Sequence, residues 1–169
     1  MPPLDEWLAE ARAILERLGA EPVVIGAIAA LRYRQTPRAT TDVDLLTKHV
    51  RGVREAFESD GYSVQEASDP GGEPFLLIAE KESARIHIMV AETPYQQEAM
   101  RRAVGGFLAV EDVIIHKLIA WRARDQDDIR SILAAGHDLD QSHVARWAEQ
   151  WEVTDRWNEA RSWIDRSEA

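Results

Sequence analysis

Apolar residues recur at three- and four-residue steps at both ends of the chain and at every second position in its middle. This predicts helices on either side of a set of strands. Leu4, Trp7, Leu8, Ala11, Ile14, Leu15 and Leu18 form one helical stripe over residues 4–18, with Asp5 at its cap and Gly19 as its stop. Residues 22–25 read as a short buried strand, 26–34 as a short helix of small residues ended by the loop around Pro37, and Asp42 to Lys48 as a second strand. A helix over 50–59 stops near Gly61, a strand covers 62–65, and the Ser68-Asp69-Pro70-Gly71-Gly72 turn separates it from a strand at 74–79. Residues 84–90 alternate, with Ala84, Ile86, Ile88 and Val90 on one side and Arg85, His87 and Met89 on the other. That is a half-exposed strand, expected beside the Asp42 strand.

The remainder reads as helical. A short helix over 94–102 and an extended piece at 107–110 lead into a nearly continuous apolar helix, from Val113 to Trp121, that should be deeply packed. A second helix runs from about Asp127 to Ala135 and stops at Gly136. Asp140 to Ser167 gives one long helix or two shorter ones, broken near Thr154-Asp155. Trp147, Trp151, Trp157 and Trp163 lie there at mostly helical spacing, which suits packing; an aromatic platform for a base is the alternative.

Composition narrows the class. The 169 residues are 45% hydrophobic and 30% charged, as in an ordinary globular protein of one domain or one domain with a small appendage. No apolar run reaches membrane-spanning length and no basic-then-apolar signal layout opens the chain, so no membrane partner is expected. Cysteine is absent, which excludes disulfides and thiolate metal sites and fits a cytoplasmic location. The net charge of −10 argues against an extensive nucleic-acid footprint. Charge is uneven, however: Arg32, Arg34, Arg38, Lys48, Arg51 and Arg54 face only Asp42 and Asp44 between residues 32 and 54. A local excess of four positive charges suits a small anionic substrate such as a nucleoside triphosphate; solvated surface arginines are the plain alternative.

Two stretches carry candidate chemistry. In the first, Val23-Val24-Ile25-Gly26-Ala27 is a strand and Gly turn, and Thr41-Asp42-Val43-Asp44-Leu45 a strand with two carboxylates. At a spacing of two, Asp42 and Asp44 share one face, while Val43 and Leu45 point into a core. Adjacent carboxylates repel unless a cation or proton lies between them. A divalent metal answers that need, and hard oxygen ligands select Mg²⁺ or Mn²⁺. A solvated turn is the bland reading of the same pair. In the second stretch, Glu111 to Ile129, Lys117 sits among apolar neighbours and needs an anion. Asp125, Asp127 and Asp128 are internal candidates, and a bound phosphate is the functional one. His116 reads as a packed or surface histidine.

Gly26-Ala27 followed by Asp42-x-Asp44 resembles the signature of the nucleotidyltransferase (polymerase-β-like) superfamily. Within it, EDVIIHKLIAWRARDQDDI is similar to the AbiEii-like toxin and related minimal nucleotidyltransferase group. The resemblance covers roughly residues 20–135 and implies an α+β nucleotidyltransferase fold. That fold is a mixed sheet flanked by helices, with residues 1–136 as its core domain and 137–169 as a helical C-terminal segment packed on it. It implies transfer of a nucleoside monophosphate from an NTP to an acceptor hydroxyl, on a tRNA end, a protein or a small molecule. Asp42 and Asp44 would hold Mg²⁺ or Mn²⁺. Gly26, Ala27, Arg38, Thr41, Lys117 and Arg122 are the candidate nucleotide-binding residues, and Asp125 or Asp128 would fill a later acidic role. An antitoxin partner follows if the toxin likeness extends to function.

Two departures bear on this. Ala27 replaces the usual Ser or Gly, removing a hydroxyl contact to phosphate. His87 stands where a third carboxylate is expected; it could act as general base for the acceptor hydroxyl or simply hydrogen-bond a carboxylate. The competing reading is a non-catalytic binding or regulatory module built on a decayed site.

Overall fold

The computed structural model describes residues 4–48 and 51–165. Residue 50 of the expected 50–59 helix and residues 166–167 of the last expected helix lie outside them. The chain divides into two compact units, Met1–Ile28 with Ala39–Leu108, and Ala29–Arg38 with Ala109–Ala169. Residue 136, the expected boundary, lies within the second unit. The helices after Leu108 pack with one another, and the short 29–38 segment joins them.

In the first unit, α1 (Leu4–Arg17) is followed by β1 (Val23–Val24), and the chain then enters α2 (Gly26–Leu31). Next come β2 (Asp42–Thr47), α3 (Val53–Ser59), β3 (Ser63–Ser68), β4 (Pro74–Lys81), β5 (Ala84–Val90) and α4 (Pro94–Arg102). The five strands form one sheet in the order β1-β2-β5-β4-β3. β2 and β5 run parallel and the other pairs antiparallel, so the sheet is mixed, as expected. β5 lies beside β2, which places Asp44 opposite His87 and Asp42 opposite Arg85.

The alternation of residues 84–90 is borne out: Ala84, Ile86, Ile88 and Val90 are buried and the positions between them are not. That buried face meets α1 and α3. Ile14, Leu15, Val43, Leu45, Phe57, Leu77, Ile86 and Ile88 are all fully buried in one core cluster. Each such side chain contributes roughly 1.5–3 kcal/mol by leaving water, and together they fix which face of β2 is turned away from the core. β3 runs on to Ser68, into the expected turn, because its pairing with β4 continues past a register shift at Ala67/Ser68.

The second unit holds α5 (Val110–Ala120), α6 (Ala123–Ala134), α7 (Gln141–Gln150) and α8 (Thr154–Asp165). α5 packs on α6 and α7, and α8 on α6 and α7. α6 begins at Ala123 rather than near Asp127. The Asp125 carboxylate accepts the Arg122 backbone N–H at 3.1 Å, capping the first turn from within it. α5 ends at Trp121, whose φ of 52° is left-handed, and Arg156 covers the exposed carbonyls of Leu118 and Ile119 at 2.8 and 2.9 Å. Segment 29–38 is held to α6 by Gln35 N–H on the Ser131 carbonyl and Thr36 N–H on the Ser131 hydroxyl, both at 3.1 Å. No helix among the described residues is long and apolar enough to cross a membrane.

Candidate active site

Asp42 and Asp44 are both half-buried on β2, with Val43 and Leu45 fully buried between and beyond them. The two carboxylates therefore stand on the sheet face turned away from the core. What fixes Asp44 is the junction after β1. Ile25 N–H donates to the Asp44 carbonyl at 2.9 Å, which brings Gly26 alongside Asp44. Gly26 adopts φ +65°, and a Cβ there would overlap the Asp44 carboxylate, with its Cγ only 2.8 Å away. Glycine is thus required twice over, for its left-handed backbone and for the bare Cα that the carboxylate rests on.

Across the parallel ladder, His87 Nδ1 lies 2.8 Å from Asp44 Oδ1. Asp44 is an acceptor, so the Nδ1–H donates and Nε2 is left to face elsewhere. The hydrogen bond to Asp44 raises the imidazole above its ordinary value. Burial opposes the rise, the charges of Asp44 and Asp42 add to it, and Arg85 subtracts from it. Asp42 accepts a hydrogen bond of 3.3 Å from the Thr41 hydroxyl, and Ala27 is half-buried in the first turn of α2. Among the described residues no group of three or more His, Asp or Glu is gathered as a metal cage. Two carboxylates on one strand face still match Mg²⁺, which typically takes one or two protein carboxylates and completes its shell with water and substrate phosphate.

The second sequence stretch proves to be an ion-pair cluster inside the second unit. Lys117 Nζ lies 3.1 Å from Asp125 and 2.8 Å from Asp128. Asp128 also accepts from Arg34 at 2.5 Å and from Arg38 at 2.7 and 2.8 Å, while Arg122 meets Asp125 at 2.6 Å. Both carboxylates are fully buried. Burial by itself would raise them, but for Asp128 the hydrogen bonds from Arg38 and Lys117, and the charges behind them, prevail and hold it at about 2. Asp125 is likewise held below its usual value, against burial, by Arg122 and Lys117. The anion that Lys117 requires is therefore internal. Of the two alternatives the sequence left open for Lys117, the structure contains the internal ion pair, with Asp125 and Asp128 as its carboxylates.

Arg34 is the member that sequence reasoning missed. Its side chain is only 4% exposed and it also bonds Asp127 at 2.9 Å. It was visible only as one of several arginines near Pro37, and nothing in the sequence tells which of them is buried. A second buried pair went unread as well: His143 Nε2 meets Asp112 at 2.9 Å and joins α7 to α5.

Solved structures of nucleotidyltransferases match the chain and give its mixed-sheet α+β architecture as a nucleotidyltransferase fold. The antibiotic-resistance factor ANT(2'')-Ia, in a solution structure, matches at TM-score 0.56 and 18% identity, over 97% of each chain. The same factor in complex with adenylyl-2''-tobramycin matches at TM-score 0.54 and 18% identity, over 91% of this chain and 97% of the other. A crystal structure from H. pylori, described as a nucleotidyltransferase, matches at TM-score 0.53 and 18% identity, over 86% and 74%. At this identity the likeness establishes the fold. No protein-family model matches the chain, and neither does any curated protein sequence.

Proposed function

We propose that the chain is a metal-dependent nucleotidyltransferase that moves a nucleoside monophosphate from an NTP to an acceptor hydroxyl. The observation that carries this reading is the Gly26–Asp44–His87 junction. A carboxylate is pressed against a bare backbone Cα and bonded to an imidazole, with Asp42 two residues away on the same strand face. Asp42 and Asp44 would hold Mg²⁺ or Mn²⁺, which would supply charge neutralisation at the phosphates. Gly26, Ala27 and Thr41 border the nucleotide. Asp44 holds the Nδ1–H of His87 and so fixes the tautomer whose Nε2 is a base. Nε2 takes the proton of the acceptor hydroxyl as its oxygen bonds the α-phosphorus. The bond to the β-phosphate oxygen breaks, and pyrophosphate leaves.

The test is Mg²⁺-dependent NTP binding by calorimetry, then transfer from radiolabelled NTP, for the parent chain and for Asp42→Asn with Asp44→Asn. The reading requires binding and transfer in the parent and loss of both in the variant. Metal-independent binding that survives the double substitution would remove it. Binding without transfer would favour the second reading, a nucleotide-binding module with a decayed site, for which Ala27 and His87 speak. The finer placement in a toxin–antitoxin pair rests on the Glu111–Ile129 resemblance, and growth arrest on induction, relieved by a neighbouring gene product, is what it requires.

A further inference from the structure

The first unit contains a concavity that this chemistry does not use. A cavity of about 910 Å³ is lined by Thr47 and Lys48 at the carboxyl end of β2, Arg12 and Glu16 of α1, Glu21 and Val23 at the start of β1, and Met100 and Arg101 in the last turn of α4. Its size suits a small metabolite or nucleotide. Thr47 pairs with Val90, so the cavity lies where the parallel β2 and β5 both end. Crevices beyond the carboxyl ends of parallel strands are preferred ligand positions. Asp44 lies three residues back from Thr47 along β2, roughly 10 Å at ~3.3 Å per residue. The cavity is therefore separate from the Asp42–Asp44 face.

Its charges are arranged for one kind of ligand. In a chain of net charge −10, three cations line it against two carboxylates. Arg12 is held at the wall: a Cβ on Gly106, itself at φ +79°, would come within 2.5 Å of the guanidinium. The Phe107 ring lies 6.0 Å away and Glu16 lies 3.9 Å away. Lys48 and Arg101 have no ion-pair partner among the described residues. They can receive a dianion. Glu16 and Glu21 accept hydrogen bonds and repel a second anionic group, so the rest of the ligand must bring donors, and Val23 and Met100 add apolar lining.

We propose that this cavity binds a phosphorylated sugar, its phosphate on Lys48 and Arg101 and its hydroxyls donating to Glu16 and Glu21. The shared chemistry covers a free sugar phosphate and a nucleoside monophosphate. The experiment is calorimetric titration of the full chain in EDTA, which silences the carboxylate site. The probes are ribose 5-phosphate, adenosine monophosphate, ribose and inorganic phosphate. Saturable one-to-one binding of ribose 5-phosphate is expected, weakened on the order of tenfold or more by Lys48→Ala with Arg101→Ala, the scale of losing charge-assisted hydrogen bonds. Both side chains are exposed, so the fold is not at stake. Glu16→Gln with Glu21→Gln should weaken ribose 5-phosphate but not inorganic phosphate, and Asp42→Asn with Asp44→Asn should change neither. Adenosine monophosphate binding as tightly as ribose 5-phosphate identifies the nucleotide as the source, and its exclusion identifies the free sugar phosphate. Absence of saturable binding, binding indifferent to Lys48 and Arg101, or loss in the Asp42/Asp44 variant each overturns the proposal; the last would not touch the transferase reading, which is tested with metal present.

Discussion

Asp128→Asn should unfold the second unit far more readily than its small change in shape suggests. The parent carboxylate accepts from Arg34 at 2.5 Å, from Arg38 at 2.7 and 2.8 Å and from Lys117 at 2.8 Å. Arg34 and Lys117 have side chains only 4% and 8% exposed, so the amide leaves buried positive charge with too little compensation. Removing one partner from a buried pair costs about 3–5 kcal/mol, against about 0–1 kcal/mol for an exposed pair. For a chain of this length that is a fall of roughly 6–20 °C in Tm. The assay is urea unfolding followed by tryptophan fluorescence. Trp121, Trp147, Trp151, Trp157 and Trp163 all belong to the second unit and only Trp7 to the first. The pH dependence gives a second readout. Asp128 is held at about 2 when folded against an ordinary 3.8, so its contribution is complete above about pH 4 and is lost as pH falls toward 2. The variant should lack that acid-dependent component. A loss of stability below about 1 kcal/mol, or an acid profile identical to the parent, would show that the cluster is not the buried network described.

Lys117→Met should also destabilise, yet leave NTP affinity in the folded variant nearly unchanged; a selective loss of NTP binding at full stability would return Lys117 to the phosphates. Gly26→Ala should abolish Mg²⁺-dependent NTP binding and cost more than the ~1–3 kcal/mol of a strained left-handed residue, because its Cβ overlaps Asp44; neutral behaviour in denaturation and calorimetry would contradict the junction. His87→Ala should retain NTP binding and lower transfer by ~10²–10⁴-fold, the scale of losing a general base. Unchanged transfer would leave His87 as a hydrogen-bond partner of Asp44 alone.

Local pattern carried much of this protein. The alternation of residues 84–90 and the two-residue spacing of Asp42 and Asp44 fixed which side chains leave the core, because a strand's side-chain period is a property of the backbone alone. The helix over 94–102 was equally legible, and the structure closes its first turn with a Thr93–Gln96 capping box. Gly26 could be recognised as a turn, but its function of making room for Asp44 could not, because it depends on β1 pairing antiparallel to β2. Lys117 marks the division most clearly. Its sequence surroundings demanded an anion, because an ammonium among apolar side chains is costly. Whether that anion was a phosphate or a carboxylate depended on the packing of α6 against α5 and on the docking of residues 29–38, which bring Asp125, Asp128, Arg34 and Arg38 to one buried point. Those contacts span more than ninety residues between Arg34 and Asp128, and a pairing at that separation is set by how helices pack rather than by any local period.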